Sequence, residues 1–420
     1  MGFPKILLGD SVKCHLCKED NMGALLLSPL YILANIYLAM RLMRWFSTLH
    51  SFLGSLWFIV PFFVCYTMLA LTPLLAAFTK GSLKSWTKRI SNYWLGSLMY
   101  LLIFLLLTDL GRIILRLIQH RSVLTEFGTF NYRIAIGIDI IAAALLSLYG
   151  IRHAFRIKKT HYDVTIHKDC KLPSIKIALA ADLHLGYNVG LRHVQRIKNT
   201  IQSIQPDLII YAGDIFDNEF DAVQKPKKAA AILNSLKNTY GSFACWGNHD
   251  IEEVILAGFT FHSGNSKACS DPRMNDFLKR SGIRLLEDET VLIDDSFYVC
   301  GRLDASCKEK SGTTRLTPSE IISGLDTSRP VIIIDHQPSQ LKELSEAGAD
   351  LVLSGHTHDG QMFPGNVTTR IGWMNSCGKL VLGSMTSIVT SGAGIWGPAM
   401  RIGTNSEIVE ICVKFKNEKE

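Results

Sequence analysis

The sequence predicts two units, a bundle of apolar helices followed by an α/β domain, on three observations. Residues 1–151 carry long apolar runs with few charges; residues 160–420 mix apolar runs with Asp, Lys, Glu and Gly; and several of the later runs end in a short polar cluster. Length agrees, since 420 residues is long for one domain and either part is large enough to bury a core. Polar clusters at strand ends are where open α/β sheets present their ligand-binding groups.

Residues 1–22 form a polar N-terminal segment of mixed charge. Within 23–151, the stretches 23–40, 52–78, 93–111 and 134–151 are each long and apolar enough to span a bilayer, which predicts a transmembrane bundle of four helices. The first is not expected to be a cleaved signal, because no small-residue cleavage pattern follows it. Four spans put both chain ends on one side. That side would hold Lys5, Lys13, Lys18, Lys80, Lys84, Lys88, Arg89, Arg152, Arg156, Lys158 and Lys159, and the other Arg41, Arg44, Arg112, Arg116, Arg121 and Arg133. The first set is larger, so the expectation is a multi-pass protein of the cell membrane with its C-terminal domain in the cytoplasm. Asp109 and Asp139 fall within apolar spans near the same outer end, a few residues from Arg112 and Arg133, which predicts a structural ion cluster. Residues 152–174 are expected to be a juxtamembrane connection, and 175–415 the α/β domain.

The net charge of +7 does not point to nucleic acid, because no Lys/Arg block is interleaved with aromatics and much of the excess flanks the apolar runs. The 10 cysteines are scattered. Only Cys14 and Cys17 are spaced like metal ligands, and a structural zinc would need two more nearby, so reduced thiols are expected rather than a zinc ribbon or disulfide framework.

From Ile175 onward, β-prone runs alternate with amphipathic stretches near 191–205 and 222–238. Their polar ends are Asp182-Leu-His184, Gly213-Asp214-Ile-Phe-Asp217, Gly247-Asn248-His249-Asp250, His336 within Asp-His-Gln-Pro, and Gly355-His356-Thr-His358. One Asp-x-His or one strand-end histidine says little. Five clusters in this order resemble the calcineurin-like metallophosphoesterases, whose pattern is DxH, GDxxD, GNH(D/E), H and GHxH, and the likeness spans about 175–415. GHTHDGQ from Gly355 to Gln361 and the later SGAGIWGPAMRIG look like the membrane-associated branch related to bacterial phosphodiesterases and UDP-diacylglucosamine pyrophosphatases. Asp359 departs from it where that branch usually shows Gly, which puts the backbone shape after the histidines in question.

The resemblance implies a four-layer αββα sandwich with metals at the C-terminal ends of its strands. It implies one divalent metal held by Asp182, His184, Asp214 and His358, and a second held by Asp214, Asn248, His336 and His356, with Asp214 as the bridge. Carboxylate, imidazole and amide donors without thiolate suit Mn²⁺, Zn²⁺ or Fe²⁺. Such a pair can share a hydroxide that attacks phosphorus in line, without a covalent intermediate. His249 resembles the family histidine that contacts the scissile phosphate, with Asp250 expected to orient it and raise its pKa for a general-acid role. Asp217 would hold a ligating group rather than bind metal itself. The tyrosine that purple acid phosphatases place in this motif is absent, which argues against their ferric site.

Arg401 lies in a stretch resembling the family's C-terminal motif and is a candidate phosphate ligand, a salt bridge being the other reading. Met362, Phe363, Pro364, Ile371, Trp373, Met374 and Trp396 form either core or an apolar rim that receives an acyl chain. Ser306–Thr327 is long and polar enough to be a flexible cover. The expected function is hydrolysis of a phosphodiester or diphosphate, with membrane lipids as partners and a lipid-linked phosphate as substrate, and without nucleic acid. A phosphatase on soluble nucleotides or phosphoproteins, and a membrane receptor with a vestigial metal site, are the competing readings.

Overall fold

Each apolar stretch of the N-terminal part becomes helix, but not four equal spans. The computed structural model describes residues 22–118, 130–250, 254–256, 259–261, 270–306 and 314–416; Cys14, Cys17 and Arg121 lie outside them. The helices are α1 (Met22–Leu49), α2 (Leu56–Ala70), α3 (Thr72–Phe78), α4 (Gly81–Ile118) and α5 (Phe130–Ala154). Two of these, over Gly81–Ile118 and Asn131–Ala154, are long and apolar enough to cross a membrane. The stretch 52–78 is a correction: it breaks at Leu71, and Pro73, which has no amide hydrogen and favours a helix start, begins a separate short helix. α2 alone has 15 residues, fewer than the roughly 20 a spanning helix needs.

The predicted ion cluster forms around Asp109, with a partner the sequence reading did not name. Arg41 of α1 pairs directly with Asp109, Arg112 lies at 3.8 Å and Tyr37 donates at 2.7 Å. Asp139 instead accepts from Thr108 at 3.0 Å.

α4 has 38 residues and is about 57 Å long, well beyond a bilayer's hydrocarbon core. Its polar first turns dock on the α/β domain, where Lys84 pairs with Glu219 at 2.6 Å and Arg89 Nε donates to the Tyr187 carbonyl at 2.8 Å. Further along, Tyr100 and Ala143 of α5 pack with Met362, Met400 and Ile402.

The expected connection 152–174 is partly sheet. α5 ends at Ala154 and β1 (Ile157–Ile166) follows at once, pairing in parallel with the last strand, β14 (Ser406–Phe415). The α/β domain therefore begins near 157, and Ser406 Oγ ties it to the Ala154 carbonyl at 2.6 Å.

Between β1 and β14 lie β2 (Ser174–Ala180), β3 (Leu208–Ala212), β4 (Ser242–Cys245), a small hairpin of β5 (Val254–Leu256) and β6 (Phe259–Phe261), then β7 (Ile283–Leu285), β8 (Glu289–Ile293), β9 (Phe297–Gly301), β10 (Val331–Ile334), β11 (Leu351–Ser354), β12 (Gly378–Leu382) and β13 (Met385–Val389). They form two six-stranded sheets, ordered β1-β14-β2-β3-β4-β7 and β12-β13-β11-β10-β9-β8. Strand alternation sorts the side chains: Ile177 and Leu179 enter the core between the sheets, whereas Ala178 and Ala180 face the helices. Burial on both faces is why these strands read as continuous apolar runs.

Outside the first sheet pack α6 (Leu191–Ile204), α7 (Pro226–Asn234) and α8 (Pro272–Arg280); α6 buries Val194, Ile197, Ile201 and Ile204, at the spacing of one helical face. Outside the second lie α9 (Pro318–Ile322) and α10 (Leu341–Glu346). The layers are thus helix, sheet, sheet, helix, as expected. The described part of the expected cover is partly a packed helix: Thr317 and Glu320 form a capping box, and α9 buries Pro318, Ile321 and Ile322. The last helix, α11 (Gly365–Gly372), follows the second histidine motif. All six cysteines among the described residues are free thiols.

Candidate metal centre

The five polar clusters converge because both sheets point their central strand ends at one place. Asp182 and His184 follow β2, Asp214 follows β3 and Asn248 follows β4, while His336 follows β10, and His356 and His358 follow β11. The chain turns sharply there: Asp182, His184, Asp214, His356 and His358 have φ between 45° and 73°. Left-handed backbone costs an L-residue energy, and its concentration here marks a site that the surrounding packing holds in place. Asp359 also adopts φ 50°, a conformation that Asp tolerates, so its replacement of glycine keeps the turn. Two motif glycines make room for carboxylates. A Cβ on Gly247 would lie 2.2 Å from Asp214 Oδ1, and one on Gly355 would lie 2.4 Å from Asp182 Oδ2.

All seven predicted ligands come together, in two groups. In the first, His184 Nε2 and His358 Nε2 face each other at 3.0 Å, with Asp182 Oδ1 at 3.4 Å from His358. In the second, His336 Nε2 lies 3.1 Å from Asp214 Oδ2 and 3.1 Å from Asn248 Oδ1, and His356 Nδ1 lies 2.8 Å from the same Asn248 oxygen. Asp214 Oδ2 is also 3.8 Å from His184 Nε2, which puts its carboxylate between the groups. Asp182, His184 and His358, and separately Asp214, His336 and His356, each present ligand atoms within 4.8 Å of one another. The donors fit cations. His336 Nδ1 donates to the Ala212 carbonyl at 2.8 Å, leaving its Nε2 lone pair for the site. Two imidazole nitrogens at 3.0 Å can share one proton or both bind one cation.

Charge is concentrated here on buried side chains. Burial would raise Asp214, but His336 and His249 outweigh it and hold its carboxyl well below the usual range. Burial lowers His336, yet Asp214 wins and its pKa lies well above normal, so Nε2 holds a proton that a bound cation would displace. Burial, His184 and Arg401 push His358 well below its usual value, which favours the neutral ring that ligates metal. Asp217 Oδ1 lies 3.7 Å from His184 Nδ1, on the side of the ring away from His358.

His249 is 7% exposed and borders a cleft of about 490 Å³ with Asp214, Asn248, His356, His358, Thr368, Thr369 and Trp396. Its expected partner is a correction. Asp250 does not orient the ring: its carboxylate accepts from Phe216 N and Gly247 N, both at 2.8 Å, and braces the two motif loops. The ring's Nδ1 instead meets Asn218 Oδ1 at 2.5 Å. Nothing flagged Asn218 in the sequence beyond its place directly after Asp217. An Nδ1–H donated to Asn218 leaves the lone pair on Nε2, and burial lowers this histidine to about 4. Asn218→Ala is expected to lower turnover roughly 10- to 100-fold with both metals retained, as for other residues that orient a functional imidazole. Steady-state rates with elemental analysis test this.

Arg401 is a second correction. It is 0% exposed, and its guanidinium donates to the carbonyls of His358, Ser391, Gly392 and Gly394 at 2.6–3.3 Å, leaving no face for a substrate phosphate. It ties the His358 loop to the Gly-rich segment. Arg401→Met is expected to destabilise the protein by about 3 kcal/mol, because buried carbonyls lose their donor. Denaturant unfolding measures this; unchanged stability with a selective rise in KM would mark a phosphate contact instead.

The apolar residues expected as core or rim divide. Met362 is buried; Trp396 stands 6.1 Å from the His249 ring and Trp373 5.2 Å from the His356 ring; Phe363, Ile371 and Met374 are exposed. α4 also reaches the site's edge. Its Lys88 and Asn92 line a recess with Tyr187, Asp217, Glu219 and Trp396, a contribution that sequence distance concealed.

Comparison with protein families matches residues 175–360 to calcineurin-like phosphoesterase. The chain is 30% identical to a transmembrane protein with metallophosphoesterase domain of Danio rerio, covering 78% of this chain and 74% of that one. It is 28% identical to an uncharacterized metallophosphoesterase of Aquifex aeolicus, covering 65% of this chain and 98% of the relative. A UDP-2,3-diacylglucosamine pyrophosphatase of Chlamydia trachomatis is 22% identical, over 53% of this chain and 76% of its own length.

Proposed function

This chain belongs to the calcineurin-like phosphoesterase family, and from that premise we propose that it hydrolyses a phosphodiester or diphosphate carried by a membrane lipid, using two divalent metal ions. It is a metal-dependent phosphoesterase; the lipid substrate and the ligand assignment are our reading. The observation that carries it is the meeting of two donor groups at Asp214, beside His249, on the floor of one cleft.

Asp182, His184, Asp214 and His358 would hold one ion, and Asp214, Asn248, His336 and His356 the other, with Mn²⁺, Zn²⁺ and Fe²⁺ all suited to the donors. When bound, such ions supply positive charge for the phosphoryl oxygens and make water acidic enough to attack near neutral pH. The Ala212 carbonyl fixes the His336 ring through a hydrogen bond, and the Asp217 carboxylate lies 3.7 Å behind the His184 ring. Asn218 holds His249 with its Nε2 lone pair outward, so the ring enters the reaction neutral. It becomes a proton donor to the leaving oxygen only after the negative charge of a bound phosphate raises its pKa.

The lipid reading rests on attachment. Only two residues separate α5 from β1, and α4 lines the recess beside Asp217. An enzyme held this close gains effective concentration when its substrate shares the bilayer. The pyrophosphatase relative, whose name specifies a diacylated substrate, supports this. The described cations near the α/β domain include Lys84, Lys88, Arg89, Arg152, Arg156, Lys158 and Lys159, and the positive-inside rule puts that side, with the domain, in the cytoplasm.

Excising the helices would uncover Met400 and Ile402 and remove Lys88 from beside Asp217, so the test uses the whole chain. Protein loaded with Mn²⁺ in vesicles is given a lipid-linked diphosphate, a lipid phosphodiester, bis-p-nitrophenyl phosphate, a soluble nucleotide and a phosphopeptide. A higher kcat/KM on one of the lipid substrates is expected. Preference for the nucleotide or phosphopeptide would overturn the lipid reading, and inactivity on all five despite bound metal would revive the receptor reading.

A further inference from the structure

α11 has one face in the cleft and another in the open. Gly365, Thr368 and Thr369 line the cleft with the metal-binding candidates. Val367 and Ile371, four residues apart and so on one helical face, are 48% and 83% exposed; Phe363 just before the helix and Met374 just after it are each 53% exposed. Water would not select four large apolar side chains grouped beside an active site.

Their depth identifies the occupant. The Phe363 carbonyl accepts from Tyr100 of α4 at 2.9 Å, and the adjacent Met362 belongs to a buried cluster with Tyr100 and Ala143, against which Phe104 and Leu146 pack. Tyr100 lies about 10 Å along α4 from Tyr93, where its apolar run begins, and Leu146 about 12 Å before the end of α5. Around this level α5 turns Ile141, Leu145 and Leu148 outward, and α4 begins to do so at Leu106, about 9 Å beyond Tyr100. The exposed edge of α11 thus continues the apolar surface of the spanning helices instead of standing apart from it.

We propose that Phe363, Val367, Ile371 and Met374 are immersed in the acyl-chain margin of the bilayer that α4 and α5 cross, so that the cleft opens onto the lipid surface. Amphipathic elements bury their apolar face about 5–10 Å into that margin, a depth matching the contact with Tyr100. Arg370, 67% exposed on the same helix, can reach headgroup level by extending its stem. The inference deepens the lipid-substrate reading and rests on α4 and α5 spanning a bilayer, but its test needs no turnover.

A photoreactive benzoylphenylalanine is placed at Ile371 of the full-length protein in phosphatidylcholine and phosphatidylglycerol vesicles. A control is placed at Arg284, whose strand β7 lies at the opposite sheet edge from β1. Mass spectrometry after irradiation is expected to find phospholipid adducts at 371 and none at 284. Chain-to-chain adducts at 371 would mean that a second copy covers the face, and no adduct that it faces water; either overturns the proposal. Adducts at 371 in a protein that ignores lipid substrates would leave immersion standing and the substrate reading refuted. As a second arm, Val367→Gln with Ile371→Gln is expected to lower the rate on a vesicle-borne substrate and spare that on bis-p-nitrophenyl phosphate. Equal loss on both would count against immersion.

Discussion

Asp214→Asn is expected to lower activity by about 10³-fold or more, the scale of losing several kcal/mol of transition-state charge stabilisation. Its carboxylate is the group lying between the two donor sets, 3.1 Å from His336 Nε2 and 3.8 Å from His184 Nε2, and its Oδ1 also accepts the His249 backbone N–H at 2.7 Å. Replacing one oxygen by an amide removes the charge that two cations would share and turns an acceptor into a donor aimed at imidazole nitrogens. Metal content should fall at both positions. Asp182→Asn, by contrast, alters a donor of the His358 group, its link to the other group being the His356 backbone N–H at 3.0 Å, and should mainly weaken one. Elemental analysis separates the two variants, and an Asp214→Asn protein that retains two metals at wild-type affinity would refute the bridging role.

His249→Ala is expected to lower turnover by about 10²- to 10⁴-fold while leaving the metals bound. The ring borders the cleft but belongs to neither group proposed to bind metal, and its side-chain hydrogen bond goes to Asn218. If its work is to protonate the leaving oxygen, nitrophenyl esters, whose leaving group needs no proton, should suffer less than alkyl esters. An equal loss for both would assign it to charge stabilisation instead. Its low pKa in the buried site means that the ring takes up its proton only once a bound phosphate raises that pKa, so the alkyl-ester defect should widen as pH is lowered toward the raised value.

Much of the α/β domain was legible from strands that end in chemistry. Runs such as Leu208–Ala212 and Val331–Ile334 are apolar on both faces because a sheet covers one and helices the other, and a chain buried on two sides leaves a plain pattern. The helical N-terminal part was less legible. Hydropathy measures the length of an apolar run but not a break within it, so 52–78 read as one span, and it ignores polar turns, so the first turns of α4 were overlooked. The start of the domain was misplaced because β1, at an edge with Lys158, Lys159, His161 and Asp163 exposed, looks polar.

The sequence by itself determined the identities of the metal-binding candidates and their order, because a donor must be a particular residue type and a strand end must follow an apolar run. Only the tertiary structure decided the roles of polar residues whose partners are distant in the chain. Asn218 rather than Asp250 holds His249, Arg401 serves four carbonyls rather than a phosphate, and Arg41 reaches Asp109 across 68 residues. A carboxylate, amide or guanidinium takes its function from what lies within about 3 Å of it. That neighbourhood exists only once two sheets and a helical hairpin have packed together.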